Sequence, residues 1–146
     1  LRYLQMVYRR QRQLFIIDRC LTVAKKNTNI FIIEGIDHDS ELLASAYASA
    51  KVFALPARYE TPGIAALEAG LAGARIVITP HGGTIDYFED MAYYINPYSV
   101  EEIRTGIEEA LNASKDDRLT IHIKNNFLWE HVAMMTSNVY HNILDS

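Results

Sequence analysis

Apolar and polar positions along the chain fall into two alternating patterns. Short β-branched or apolar runs predict strands at Tyr3–Val7, Ile30–Glu34, Val52–Leu55, Arg75–Thr79 and Ala92–Asn96. Three of them (IFIIE, VFAL, RIVIT) are apolar at successive positions, as strands covered on both faces must be. Between the runs lie amphipathic stretches that predict helices near 11–26, 40–49, 62–72, 83–90 and 99–112, with two closing helices near 115–126 and 129–143. Strand–helix alternation of this kind predicts an α/β fold, a Rossmann-like three-layer sandwich with a parallel sheet and helices on both faces.

Several boundaries carry their own signals. Ser99 with Glu102 three residues later reads as a capping box. Thr61-Pro62 reads as an N-cap followed by proline at the first helical position, and Gly73 as the stop of the same helix. Asn96-Pro97 ends the last strand.

The chain has 146 residues, about one domain, with 49% hydrophobic and 22% charged residues, which excludes a disordered or collagen-like chain. Its apolar runs are too short to span a membrane, and no signal peptide opens it. The single Cys20 has no internal disulfide partner, which fits a reducing compartment. The start at Leu1 reads as a fragment of something larger. Residues 1–26 hold seven basic groups and one acid, on a chain whose net charge is −4. A basic start on an acidic body argues against a general nucleic-acid binder and permits a local anion site; a solvated basic helix is the plainer reading.

The stretch that carries chemistry is 52–83, VFALPARYETPGIAALEAGLAGARIVITPHGG. A buried strand ends at Pro56, a short loop follows, and a helix starts near Pro62. In open parallel sheets, ligands bind beyond the carboxyl ends of the strands. A helix N-terminus there offers free backbone N–H groups and a partial positive charge, which suit phosphate. Gly63 lets an anion approach the backbone closely. Glu60 stands just outside the helix start, and Glu68 about two turns further along, near the same face. Two carboxylates flanking a phosphate site suit a ligand with phosphate in its middle and hydroxyls at both ends. The plainer alternative makes Glu60 a cap and Glu68 a solvated helix residue. Against it stands AALEAGLAG, so apolar and small that the helix must be closely packed, where a lone carboxylate is costly unless partnered.

These residues resemble the C-terminal, donor-binding domain of the retaining glycosyltransferases of the GT-B fold, the group one family, whose hallmark is E-x7-E. The match runs through Glu60, Gly63, Leu67, Glu68, Ala69, Ala72 and Gly73. It extends to Tyr47–Pro56 before the motif, to Gly82-Gly83 with Asp86 for the family's G-G-x-x-E, to Asn96-Pro97, and to Trp129-Glu130 with Val132-Ala133. The resemblance covers about residues 11–144.

The resemblance implies that residues 1–146 are the nucleotide-sugar (donor) half of a GT-B enzyme whose N-terminal acceptor domain lies outside this chain. It implies transfer of a hexose, with retention, from a nucleoside diphosphate sugar such as a UDP- or GDP-sugar to a saccharide or lipid-linked acceptor. Glu68 would bond the ribose and Glu60 the donor-sugar hydroxyls, with Gly63 and Ile64 meeting the diphosphate and Thr61-Pro62 lining the donor loop in place of the usual Gly-Phe. The family's phosphate-binding basic residues fall nearest Arg9 or Arg10, with Arg12 a third choice. His81, Gly82 and Gly83 are further candidates for ligand contact. No cofactor and no metal is expected. The setting implied is cytoplasmic polysaccharide or glycolipid assembly, with membrane association at the inner face through the other domain. This domain alone is expected to be inactive. Two alternatives stand beside this reading: a nucleotide-sugar-binding domain without transfer, and another GT-B enzyme such as a sugar-nucleotide epimerase or a phosphorylase.

The remaining polar residues read blandly. His38 between Asp37 and Asp39 reads as a polar loop, because adjacent residues rarely converge on one metal. His122, His131 and His141 read as structural, Trp129 as a packing anchor and Cys20 as buried and inert.

Overall fold

The computed structural model describes residues 21–33 and 35–144. The expected strand Tyr3–Val7, the start of the helix at 11–26, Cys20 and the basic residues Arg9, Arg10 and Arg12 lie outside the described residues. The chain divides into two units, 1–38 and 39–146. In the first, residues 21–24 form a helical turn, closed by the Lys25 amide donating to the Leu21 carbonyl at 2.9 Å. The strand expected at Ile30–Glu34 is not found: residues 30–33 are irregular and exposed, Phe31 at 84%. A β-branched run becomes a strand only when another strand satisfies its backbone, and among the described residues none pairs with it.

The second unit carries the sheet. Its elements in order are α1 (Glu41–Ser49), β1 (Val52–Leu55), α2 (Ile64–Leu71), β2 (Arg75–Ile78), α3 (Thr84–Phe88), β3 (Tyr93–Tyr94), α4 (Val100–Asn112), α5 (Arg118–Asn126) and α6 (Trp129–Leu144). The three strands are parallel in the order β1-β2-β3, with Val52 opposite Arg75 and Val77 opposite Tyr93. β3 keeps two of the five residues expected at 92–96, although the Ile95 amide still donates to the Ile78 carbonyl at 3.0 Å.

The central strand β2 separates two cores. Ile76 and Ile78 point to one face, where Ala66 and Ala69 of α2, Phe88 of α3, and Leu119 and Ile123 of α5 pack on them. Val77 points to the other, against Ile95 and Ala110, with Ile103 and Ile107 of α4 beside them. All three strand residues are fully buried, as the unbroken apolar run predicted. Helices therefore cover both faces, and the expected α/β sandwich is present.

Small residues set the helix distances. At Gly70 an added Cβ would stand 2.9 Å from Ile123 Cδ1, so α2 and α5 meet at a position with no side chain. The Thr120 hydroxyl seals the crossing by donating to the Gly70 carbonyl at 2.9 Å. Arg75 donates to the Ala113 carbonyl at 2.8 Å, a cation at the C-terminal end of α4 where the helix dipole favours one.

Three local expectations change. α2 begins at Ile64 with Gly63 as its N-cap in the left-handed region (φ 67), so Thr61 and Pro62 precede the helix. The Ser99 hydroxyl does accept from the Glu102 amide at 3.2 Å, but the Glu102 carboxylate turns to the Asn96 amide at 3.3 Å and does not complete the box. Trp129 is 79% exposed at the start of α6, a helix with no buried side chain, so it anchors nothing among the described residues. Gly73 stops α2 as expected, with φ 98 and the Ala74 amide returning to the Ala69 carbonyl at 2.9 Å. His122 is structural as read, its Nε2 lying 3.1 Å from the Tyr87 carbonyl oxygen.

Tyr94 ties the end of α3 to β3: its hydroxyl donates to the Glu89 carbonyl at 2.8 Å. Glu89 has φ 47, the one positive value at a non-glycine residue among those described. Burial, reinforced by Asp90, Asp86 and Glu89, pushes the phenol up to about 12.

Two predictions follow from this packing. Phe88→Ala, at a fully buried ring, should cost about 3–5 kcal/mol of unfolding free energy, while Ile85→Ala, one turn away and half exposed, should cost under about 1 kcal/mol; denaturant titration reads both. Tyr94 is protonated in the fold at pH values where the unfolded chain has begun to lose that proton. Its contribution is therefore complete below pH 10 and falls away as pH rises toward about 12. Unfolding curves collected across that window should show a flatter decline for Tyr94→Phe than for the parent protein.

Candidate functional site

The site forms at the carboxyl ends of β1 and β2, where two loops are stitched together. After β1 the chain runs through Pro56–Tyr59 to Glu60, which pairs in parallel with Gly82 of the loop after β2. The Glu60 amide donates to the His81 carbonyl at 3.0 Å, and the Gly83 amide donates to the Glu60 carbonyl at 3.1 Å. The second loop is braced from below: the buried Thr84 hydroxyl donates to the Thr79 carbonyl at 2.7 Å, and Thr79 Oγ1 accepts from the His81 amide at 3.2 Å.

Gly82 is required by this arrangement. Its φ is 106, and a Cβ there would fall 1.9 Å from the Glu60 carbonyl oxygen. The two backbones meet at a distance only glycine permits. Gly63 is similarly enclosed: a Cβ would stand 3.3 Å from Glu60 Cγ and 3.4 Å from Ile78 Cδ1, and its φ is 67. The Glu60 stem thus lies across Gly63, and its Oε1 accepts from the Thr61 amide at 3.1 Å.

α2 leaves this knot with an open N-terminus. No side chain caps it, and the Gly63 carbonyl receives the amides of Ala66 and Leu67. The amides of Gly63, Ile64 and Ala65 have no acceptor among the described residues. The first turn holds neither acid nor base. Such a terminus presents a partial positive charge and three donors to an anion.

One turn on, Glu68 is half-buried, and its negative charge adds to burial in pushing the Tyr47 phenol of α1 up. It is therefore not the solvated residue of the plainer reading. Glu68 shares with Pro62, Ile64 and Leu67 the wall of an open groove of about 390 Å³, faced by Tyr87 and Phe127. Arg58 adds a cation to the same strand ends, its guanidinium carbon 5.3 Å from the centroid of the Tyr98 ring.

The structure thus brings Glu60, Thr61, Pro62, Gly63 and Ile64 together with His81, Gly82 and Gly83, and sets Glu68 one turn beyond. Arg9, Arg10 and Arg12 lie outside the described residues. Sequence reasoning missed the influence of Glu68 on Tyr47, 21 positions away, which leaves no local signature. It also passed over Arg58, although a cation two residues before Glu60 in the strand-end loop was visible. Among the described residues no group of three His, Cys, Asp or Glu could hold a metal ion, and no helix is long and apolar enough to cross a membrane.

A parallel sheet with an open helix terminus beyond its strand ends is the arrangement in which open α/β sheets bind their ligands. The family model of the glycosyl transferases group 1 matches residues 20–126, and the chain belongs to that family. It is similar to an uncharacterized glycosyltransferase of Methanocaldococcus jannaschii, 27% identical over 141 residues, 86% of this chain and 33% of the relative. In fold it is similar to sucrose-phosphate synthase from Thermosynechococcus elongatus, with a TM-score of 0.74 and 22% identity over 88% of this chain and 34% of that one. The chain therefore spans about a third of the length of these relatives.

The loop knot gives a direct prediction. Gly82→Ala should separate the two loops and cost about 1–3 kcal/mol of stability. In amide NMR spectra the largest shifts should fall at Glu60 and Gly83; a spectrum changed only around Gly82 itself would show that the loops do not depend on each other.

Proposed function

We propose that this chain is the donor-binding half of a retaining GT-B glycosyltransferase that moves a hexose from a nucleoside diphosphate sugar to a saccharide or lipid-linked acceptor. The observation that carries the proposal is the uncapped N-terminus of α2, with three amides lacking acceptors between the Glu60 and Glu68 carboxylates. Family membership supports the same reading. The acceptor domain then lies outside residues 1–146, and the domain alone does not complete transfer.

In this reading the diphosphate sits at the amides of Gly63 and Ile64, where the helix dipole and the donors meet its charge. Glu68 accepts from ribose hydroxyls and Glu60 from hydroxyls of the donor sugar, as ionised carboxylates do well. Thr61 and Pro62 stiffen the loop facing the sugar, and Gly82-Gly83 with His81 hold that loop in place. Transfer breaks the bond from the sugar anomeric carbon to the phosphate oxygen and forms one to the acceptor oxygen on the same face. The acceptor proton passes to the departing phosphate oxygen. The chain's part is to stabilise the charge that develops on the diphosphate. Arg9, Arg10 and Arg12 are the basic residues proposed for that task, and Arg58 is a further cation at the strand ends. No resident cofactor or metal enters this scheme. The setting proposed is cytoplasmic, with membrane association of the whole enzyme through its other domain.

Calorimetric titration with UDP, GDP and ADP tests the proposal. One of the three should bind, and Glu68→Ala should weaken it by about tenfold or more. Binding indifferent to Glu68→Ala would remove Glu68 from the nucleotide site, and no binding by any of the three would remove the donor-site assignment.

A further inference from the structure

Arg58 and Tyr98 meet across the carboxyl end of the sheet. Arg58 belongs to the loop after β1 and Tyr98 to the loop after β3, and β2 lies between those strands, which sets them about 10 Å apart. The Arg58 side chain crosses that span, and its guanidinium carbon stands 5.3 Å from the centroid of the Tyr98 ring. We infer that Arg58, braced on Tyr98, is the oxyanion-binding residue of a saccharide subsite and takes the carboxylate of an acidic sugar. The inference rests on the donor-site reading above and deepens it by naming the class of sugar handled there.

Attraction between cation and ring holds the guanidinium without an oxygen acceptor. Among the described residues the guanidinium makes no hydrogen bond and no ion pair. The acids nearest Tyr98 in the chain are engaged elsewhere: Glu101 pairs with Arg104 at 3.3 Å, and Glu102 accepts from the Asn96 amide at 3.3 Å. Arg58 therefore presents a planar fork of donors that matches a carboxylate. It is the one lysine or arginine in the loops after β1, β2 and β3. A single cation balances the single charge of a carboxylate and falls short of the nearly double charge of a phosphate monoester.

The position also separates this anion from the diphosphate. α2 packs on the face of β2 that carries Ile76 and Ile78, and α4, which Tyr98 leads into, packs on the face that carries Val77. The open amides of α2 and the Arg58–Tyr98 pair are thus drawn to opposite faces of the sheet end. Arg58 still belongs to the loop that carries Glu60, which in the proposed reading faces the sugar. Tyr59 and Tyr98 are 68% and 67% exposed. Tyrosines left in solvent offer rigid contact area and a hydroxyl at low entropic cost, which suits a saccharide.

The test titrates the full chain in two arms. The first compares, by calorimetry, the hexose and hexuronate forms of the best binder among UDP, GDP and ADP. The second follows amide NMR shifts as free glucose or glucuronate is added, with and without that nucleotide. In one arm the acidic sugar should bind about three- to tenfold more tightly than the neutral one. A preference in the first arm assigns the acid to the donor sugar, and a preference in the second assigns it to the acceptor. Arg58→Gln should abolish the preference and leave the nucleotide alone bound as by the parent protein, and Tyr98→Leu should lower the preference about twofold. Equal binding of acidic and neutral sugars in both arms, or a preference that survives Arg58→Gln, would overturn the inference while leaving the donor site standing. Loss of nucleotide affinity in Arg58→Gln would overturn it too, by placing Arg58 on the diphosphate. No binding of any of the three nucleotides would overturn the donor-site reading, and the free-sugar arm would then decide the role of Arg58 by itself.

Discussion

The approach of Glu60 to Gly82 is the constraint on which the site depends. Two loops that leave neighbouring parallel strands would ordinarily diverge, because each must turn toward its own helix. Here a single bridging pair extends the sheet past β1 and β2 and returns the chain to order just before α2. That pairing fixes Glu60, the Glu60 stem encloses Gly63, and Gly63 sets where α2 begins. The uncapped amides thus have their position because a glycine in another loop has no side chain. Thr79 and Thr84, both fully buried, make the second loop firm enough to serve as the template.

Much of the fold was legible in the chain. RIVI is apolar at consecutive positions because β2 carries a core on each face, and that is why its burial could be read without a structure. The helix of Ala66, Ala69 and Gly70 was legible for the same reason: small apolar residues at close spacing leave no other use than tight packing. Readings failed where the answer depended on a partner. IFII has the composition of a strand, but composition does not supply the backbone that must pair with it. Trp129 has the composition of an anchor, yet its surroundings place it in the open.

The motif shows a similar division. Its two carboxylates, and their relation to a helix start, followed from spacing alone. The exact start did not, because Thr61-Pro62 and Gly63 are competing signals and tertiary packing decided between them. Proline at the first helical position is a local preference worth little beside the enclosure of Gly63 by Glu60 and Ile78. The nearness of Tyr47 to Glu68 could not be read either. Nothing in the sequence near Tyr47 distinguishes it from the other tyrosines until α1 and α2 are packed side by side.

The helix α6 has a consequence of a different kind. Its sixteen residues extend about 24 Å, and none of their side chains is buried. A helix of that length has marginal stability when propensity alone supports it. The second unit is therefore graded in local stability, from β2, whose amides open only with the whole domain, to α6, which can fray without disturbing either core. Solvent hydrogen reaches the two ends of this gradient on widely separated timescales, and a protease meets the last helix long before it meets the sheet.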